Sequence, residues 1–302
     1  MSFSMQVKQE LMEASATQLP CCAEAMLYGM LLFAADFSPR GIRLATESGE
    51  MAELFCALLQ KFTPAQAALR RNGRKWVAEV ANPGDCVQVM ERFGHAPGEL
   101  ALRVNRVNFS GDCCPAAFLR GAFLACAAVT APQSQYHLEF SVSFRRLAGD
   151  LEALLRESGL EPRLTQRKGV WLLYFKGSEQ IEDALALLGA QRASLRLMGV
   201  KIEKDVRNHV NRRVNFETAN LNRTVDAAAA QADAIRRLRA EGTFDTLAAP
   251  LRQAAELREE NPEASLQELC ELCGGEVTRS GMNHRLKRLV EIAGKEGAPG
   301  SA

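Results

Sequence analysis

Cys21-Cys-Ala-Glu-Ala-Met-Leu-Tyr-Gly-Met-Leu-Leu-Phe-Ala-Ala35 reads as a strongly apolar helix, opened by Pro20 at a first-turn position. Its small residues Ala25, Gly29, Ala34 and Ala35 let a second helix approach closely. The same word returns as Cys113-Cys-Pro-Ala-Ala-Phe-Leu-Arg-Gly-Ala-Phe-Leu-Ala-Cys-Ala127. Cys21 and Cys113, Cys22 and Cys114, Ala25 and Ala117, Leu27 and Leu119, Gly29 and Gly121, Leu32 and Leu124, and Ala35 and Ala127 all stand 92 residues apart. One offset held over so long a stretch marks a duplicated structural unit.

The segments downstream of the two copies recur as well. After the first come an extended Gly41-Ile-Arg-Leu-Ala45, a helix around Met51 to Phe62, a hairpin turning at Asn72-Gly73 and a helix near Asp85 to Phe93. After the second come the strand Tyr136-His-Leu-Glu-Phe-Ser-Val142, a helix around Leu147 to Ser158, a hairpin turning at Lys168-Gly169 and a helix from about Glu179 to Leu188. The turn glycines Gly73 and Gly169 are 96 apart, and Trp76 and Trp171, one in each hairpin's second strand, are 95 apart. The expected fold is α+β: two αββαββα-type halves, about 1–105 and 106–204, related by a pseudo-twofold. Their Gly-containing helices pack side by side and their sheets share one surface. Residues 4–14 suggest a short amphipathic helix ahead of the first copy.

A chain of 302 residues holds about two domains, and its 47% hydrophobic and 24% charged residues belong to a globular protein. Neither a secretion signal nor an apolar run of membrane-spanning length is present, so a cytoplasmic place and no membrane partner are expected. The net charge of +1 is silent about nucleic acid, because binding depends on a local basic surface. Nine scattered cysteines are an odd number and not a disulfide framework. Cys270-x-x-Cys273 has ligand spacing but no second such pair, so neither metal nor cofactor is expected. His137 and Glu139 share a strand face as a structural pair, and His95 lies in a Pro/Gly loop without a partner. Phosphate-loop and hydrolase motifs are absent, which leaves no enzyme signature.

Near the C-terminus stands Thr278-Arg-Ser-Gly-Met-Asn-His-Arg-Leu-Lys-Arg-Leu289. On a helix, Met282, Leu286, Leu289 and Ala293 form one narrow face, with Ser280, His284 and Lys287 opposite and Asn283 and Arg288 on the flanks. Upstream, Ser265-Leu-Gln-Glu268 is a capping box opening a helix with Leu266, Leu269 and Leu272, ended by Gly274-Gly275. Helix, glycine turn and a second helix N-capped by Thr278 make a helix-turn-helix at about 264–297, inside an all-α domain of residues 226–302. No acid falls between Arg279 and Arg288, so this face can approach phosphates. Ser280, Asn283, His284 and Lys287 are candidates for base edges, and Arg279, Arg285 and Arg288 for phosphates. The plain alternative is a helical hairpin with a solvated basic face.

Residues 205–225 form an Asn/Arg-rich linker whose valines Val206, Val210 and Val214 recur every fourth position, as in a helix. Arg207, Asn208, Asn211, Arg212 and Asn215 suit guanine and adenine edges. They serve equally in a linker whose asparagines satisfy backbone groups. The Ala-rich residues 226–240 should continue the helix, and Leu247 to Glu260 should support the helix-turn-helix. Gly297-Ala-Pro-Gly-Ser-Ala302 reads as a frayed tail.

The paired words Leu27-Tyr-Gly-Met-Leu-Leu-Phe-Ala-Ala35 and Leu119-Arg-Gly-Ala-Phe-Leu-Ala-Cys-Ala127 resemble the LAGLIDADG motifs of homing endonucleases. Across nearly the whole chain a more specific resemblance is carried by four longer motifs in order. They are Arg120-Gly-Ala-Phe-Leu-Ala, Tyr136-His-Leu-Glu139, Arg207-Asn-His-Val-Asn-Arg-Arg-Val-Asn-Phe-Glu-Thr-Ala-Asn220 and Arg279-Ser-Gly-Met-Asn-His-Arg-Leu286. With Ser2-Phe-Ser, Glu256-Leu-Arg, Asn261-Pro and Ser265-Leu-x-Glu-Leu, they are similar to the WhiA family. That resemblance implies a degenerate LAGLIDADG domain fused to a helix-turn-helix, and a DNA-binding transcriptional regulator of sporulation, cell division or chromosome segregation. The positions that hold the catalytic metal in homing endonucleases are Ala34 and Cys126 here, and Asp36 lies two residues out of register. Neither Ala34 nor Cys126 offers the hard oxygen that magnesium needs, so no cleavage is expected. The chain departs from the motif at Cys126-Ala127, where a small residue and then glycine are usual. Double-stranded DNA is the expected partner, with another transcription factor or RNA polymerase as a second. The rivals are an adaptor that docks protein and a metal-dependent endonuclease with relocated ligands.

Overall fold

Two glycines set the centre of the first half of the molecule. In the computed structural model, which describes residues 1–99 and 101–296, α2 (Pro20–Leu32) and α5 (Cys114–Cys126) lie side by side. A Cβ added at Gly29 would sit 2.2 Å from the Phe118 carbonyl oxygen, and one at Gly121 would sit 2.0 Å from that of Met26. The reciprocal contacts are those a pseudo-twofold requires. Around the crossing, Met26, Leu27, Tyr28, Met30 and Leu31 interlock with Phe118, Leu119, Ala122 and Phe123, all fully buried.

Each copy then runs through the same elements. The first has β1 (Asp36–Ser38), β2 (Gly41–Thr46), α3 (Gly49–Phe62), β3 (Ala68–Asn72), β4 (Lys75–Val80) and α4 (Pro83–Arg92). The second has β5 (Ala127–Val129), β6 (Leu138–Val142), α6 (Arg145–Glu157), β7 (Arg163–Arg167), β8 (Val170–Phe175) and α7 (Ser178–Leu188). The amphipathic α1 (Phe3–Ser15) precedes the first, its hydroxyl cap supplied by Ser2. The sheets are antiparallel with matching orders, β1-β2-β4-β3 and β5-β6-β8-β7. Alternation turns Ile42, Leu44 and Val80 in one sheet, and Leu138, Phe140 and Leu173 in the other, toward the shared core.

The first hairpin corrects its expected turn by one residue. Asn72 is the last paired residue, opposite Lys75, so the turn is Gly73-Arg74. There only Gly73 has positive φ, at 60°, whereas Lys168 and Gly169 in the second hairpin both do, at 50° and 82°. A glycine in the first turn position matches a type II′ turn and two positive φ values match type I′, so the copies close their hairpins differently.

His95 also departs from its reading as a loop residue without a partner. It is buried, with Nε2 2.9 Å from the Tyr28 hydroxyl and Nδ1 2.9 Å from Glu99 Oε2. The same hydroxyl accepts the Asn105 backbone N–H at 2.8 Å, which pins the chain between the halves onto α2. Burial raises the Tyr28 phenol well above its ordinary range, so it stays a neutral donor. His137 and Glu139 are paired at 2.9 Å, as the strand alternation implies.

The chain divides into two compact units, the first ending at Asp205 and the second beginning at Val206. One helix, α8 (Gln191–Ala240), contributes to both. Ala193 and Leu197 belong to the first core, and Ala234, Ile235 and Leu238 to the second. Residues 205–227 between them are exposed. The helix starts at Gln191, well ahead of the linker, because Gly189 at φ 98° ends α7 and frees the chain to begin a new helix almost at once.

The second unit continues with α9 (Ala249–Glu260), α10 (Leu266–Leu272) and α11 (Arg279–Glu296). Its core gathers Phe244, Ala254, Ala255, Leu269 and the inner face of α11. The buried Arg258 ties it together, donating from Nε to Gln231 Oε1 at 3.0 Å and from Nη1 to the Asn261, Pro262 and Ala264 carbonyls at 3.3, 3.3 and 2.6 Å. Among the described residues no helix is long and apolar enough to cross a membrane. The expected frayed tail Gly297–Ala302 lies outside the described residues.

Candidate nucleic-acid interface

Local chemistry fixes both helices of the C-terminal pair. Ser265 Oγ accepts the Glu268 N–H at 3.2 Å while Glu268 Oε2 accepts the Ser265 N–H at 2.6 Å, a complete capping box at the start of α10. These bonds hold the Glu268 carboxyl below its ordinary range. Gly274 and Gly275, at φ 75° and 74°, reverse the chain after α10 in a conformation that glycine adopts without strain. Thr278 Oγ1 then accepts the Gly281 N–H at 3.2 Å, so it caps α11 as expected.

Helical periodicity does the rest. Met282, Leu286, Leu289 and Ala293 are fully buried, which turns the other face of α11 to solvent. Thr278, Arg279, Ser280, His284, Lys287 and Arg288 are exposed, and Asn283 is half-buried on the flank. Arg285 stands apart from this group. It is half-buried, and its Nη1 is enclosed without a hydrogen-bond partner, so its guanidinium is turned partly toward the protein. The helix period puts residue 285 close behind the buried Met282 and Leu286, and that drift was available from the sequence.

Arg288 carries an ion pair that a reading limited to residues 279–288 missed: its Nη1 lies 2.9 Å from Glu291 Oε2. Both side chains are about half exposed, so the pair is weak, on the order of 0–1 kcal/mol, and a phosphate can displace it. Glu291→Gln should therefore raise affinity for any duplex about two- to fivefold at low salt, and this gain should fade as salt is added. Fluorescence anisotropy at several salt concentrations checks it.

Arg207, Asn208, Asn211, Arg212 and Asn215 are all exposed on α8. Neighbouring Arg213 pairs with Glu217 at 2.9 Å, an i,i+4 bridge typical of a helix with a solvated surface. The asparagines are thus free-standing polar side chains on a regular helix, not clamps for irregular backbone.

At the C-terminal ends of the paired helices, Ala34 and Cys126 are both half-buried. Burial pushes the Cys126 thiol up to about 12, so it stays protonated. Nearby, Lys8 of α1 donates from Nζ to the Leu124 carbonyl at 3.0 Å, a cation set against the negative end of α5. An alanine, a neutral thiol and an ammonium group do not fit a magnesium ion, which takes carboxylate oxygens. Asp36 lies in β1, opposite Arg43. Nothing in the helical pattern of α1 singles out Lys8, because its role depends on a carbonyl 116 residues away.

Comparison with known proteins bears directly on this geometry. The family model of the WhiA LAGLIDADG-like domain matches residues 115–207, and that of the WhiA C-terminal HTH domain matches residues 210–293. The probable cell division protein WhiA of Desulforudis audaxviator is 39% identical over 309 residues, covering 97% of each chain. The chain belongs to the WhiA family. The WhiA protein of Moorella thermoacetica, likewise named a probable cell division protein, is 38% identical over 97% of this chain and 92% of its own. The crystal structure of full-length DUF199/WhiA from Thermatoga maritima matches over 100% of both chains with a TM-score of 0.59 at 23% identity, a likeness of fold. The WhiA architecture thus accounts for both halves of the molecule: a LAGLIDADG-like α+β domain and a helix-turn-helix.

Proposed function

We propose that this chain is a sequence-specific binder of double-stranded DNA that regulates transcription in sporulation or cell division and chromosome segregation, and that it cuts no DNA. The observation that carries the reading is the outer face of α11: a capped helix held by a buried apolar stripe presents Arg279, Ser280, His284, Lys287 and Arg288 to solvent. Such a helix enters the major groove, with Ser280, Asn283, His284 and Lys287 at base edges and Arg279 and Arg288 at phosphates. Arg285 joins them once its guanidinium swings outward. The working division is a LAGLIDADG-like domain in residues 1–204, a linker helix in 205–225 that adds backbone or base contacts through Arg207, Asn208, Asn211, Arg212 and Asn215, and a DNA reader in 226–302. A cytoplasmic protein associated with the nucleoid fits this role. The names of the curated relatives support the link to cell division.

Loss of nuclease activity rests on Ala34, Cys126 and Lys8, which together offer a metal no anionic oxygen. Incubating the full chain with duplex DNA and magnesium should give no cuts that a chelator abolishes; such cuts would sink this part of the proposal. A site-selection experiment with Asn283→Ala tests the reader. The preferred sequence should change, whereas an unchanged preference would remove Asn283 from base contact.

A second role has its own support. Val206, Val210, Val214, Leu221 and Val225 are exposed along α8. They form an apolar stripe at helical spacing, a surface suited to a protein such as another transcription factor or RNA polymerase.

A further inference from the structure

The other end of the paired helices carries chemistry that the DNA-binding role does not use. Cys21 and Cys22 are the second and third residues of α2, while Cys114 opens α5 and Cys113 is its N-cap. The duplication that aligns these pairs in sequence also brings them together in space. All four Sγ atoms lie within 4.8 Å of one another, with Cys21 and Cys113 at 3.9 Å. We propose that Cys21, Cys22, Cys113 and Cys114 form a tetrathiolate site for one zinc-class metal ion, which clamps the two halves where their central helices begin.

Size, ligand type and charge all support the site. Tetrahedral zinc with bonds of about 2.3 Å holds its sulfurs about 3.8 Å apart, so the cluster needs to contract by only about 1 Å at its widest. Four sulfurs and no oxygen select a soft or borderline ion over magnesium or calcium. Binding one divalent ion releases four thiol protons and leaves two net negative charges. The positive N-terminal ends of α2 and α5 face that charge, and the partly buried Arg120 guanidinium lies close enough to Cys22 to feel it. Arg120 is itself fixed by the Leu188 carbonyl at 2.7 Å and Gln18 Oε1 at 3.2 Å.

Access and closure also fit a structural metal. Cys22 and Cys114 are buried, whereas Cys21 is half-buried and Cys113 exposed, which leaves an entry path on one side. Four protein ligands leave no open position for catalysis. The proposal departs from the expectation of no metal: CxxC spacing along the chain does not reveal this set, which is assembled from two CC pairs 92 residues apart.

Full-length protein, purified under reducing conditions and supplied with Zn2+ or Co2+ alone, tests the site. Elemental analysis after gel filtration should find one zinc per chain, and cobalt should give the intense visible bands of a sulfur-rich tetrahedral site. Cys21→Ser and Cys113→Ser should each lose the cobalt bands while keeping their helical circular dichroism. Cys56→Ser, a half-buried cysteine elsewhere, should keep the bands. Zinc should also protect the two accessible cluster thiols, Cys21 and Cys113, from alkylation until a chelator is added, a readout that needs no variant to fold. The proposal is overturned if zinc does not stay with the wild-type chain, if the bands survive in both cluster variants, or if alkylation ignores zinc.

Discussion

Gly121→Ala should lower the melting temperature of the LAGLIDADG-like unit by about 10 °C, through a loss of about 3 kcal/mol. The added methyl would meet the Met26 carbonyl oxygen at 2.0 Å, its carbon at 2.9 Å and the Met30 nitrogen at 3.0 Å. All three atoms are backbone, so no side-chain rotation relieves the clash and α2 must back away from α5. That movement opens the most tightly packed part of the core, because Phe118, Ala122 and Tyr28 lie beside the contact with no exposed surface. Gly29→Ala should behave alike, and the double variant should lose less than the sum because both clashes open the same interface. Gly149→Ala is the control: it lies on the exposed surface of α6 with nothing within 4 Å of the new methyl. There the better helix propensity of alanine should leave stability unchanged or raise it by about 0.5–1 kcal/mol. Thermal melts of the three single variants check this, and a Gly121→Ala protein as stable as the parent would refute the packing described.

The second large effect concerns Arg258. Its guanidinium satisfies one side-chain oxygen and three carbonyls at the end of α9 and in the turn beyond it, with no carboxylate among these partners. Burial lowers its pKa, yet it reaches more acceptors than a lysine could. Arg258→Met keeps most of the volume and strands those acceptors in the core, so the helix-turn-helix unit should lose about 3 kcal/mol. Denaturation followed by circular dichroism should then show an early transition that the parent lacks, and Arg258→Lys should recover only part of the loss. A single transition coincident with the parent would assign no structural role to this arginine.

Much of this architecture could be read from the chain because duplication doubles every signal. A helix with glycine in the middle is ambiguous once; repeated at a constant offset it must pack against its copy, and Gly29 and Gly121 do. The capping box at Ser265 and the cap at Thr278 were legible because they join residues three apart. The outer face of α11 followed from the positions of Met282, Leu286, Leu289 and Ala293. The features that escaped the sequence depend on contacts that no local pattern encodes. The three-residue strands β1 and β5 are too short to show alternation. His95 finds Tyr28 across 67 residues, and Arg258 finds Gln231 across 27. Lys8 and the four clustered cysteines likewise acquire their surroundings only when the halves meet. Arg285 is a different case: its helical position beside the buried Met282 and Leu289 already points to the partly enclosed guanidinium that the structure shows.

The claim on which the functional account turns is that α11 grips duplex DNA with its cationic outer face. The most direct measurement is the affinity of the full chain and of an Arg279→Ala/Arg288→Ala variant for one duplex across a salt series. Removing two charges should weaken binding by about a hundredfold at low salt and reduce the slope of log affinity against log salt by about two, with the circular dichroism unchanged. Equal affinities and equal slopes for the two proteins would place the DNA contact elsewhere and contradict the account.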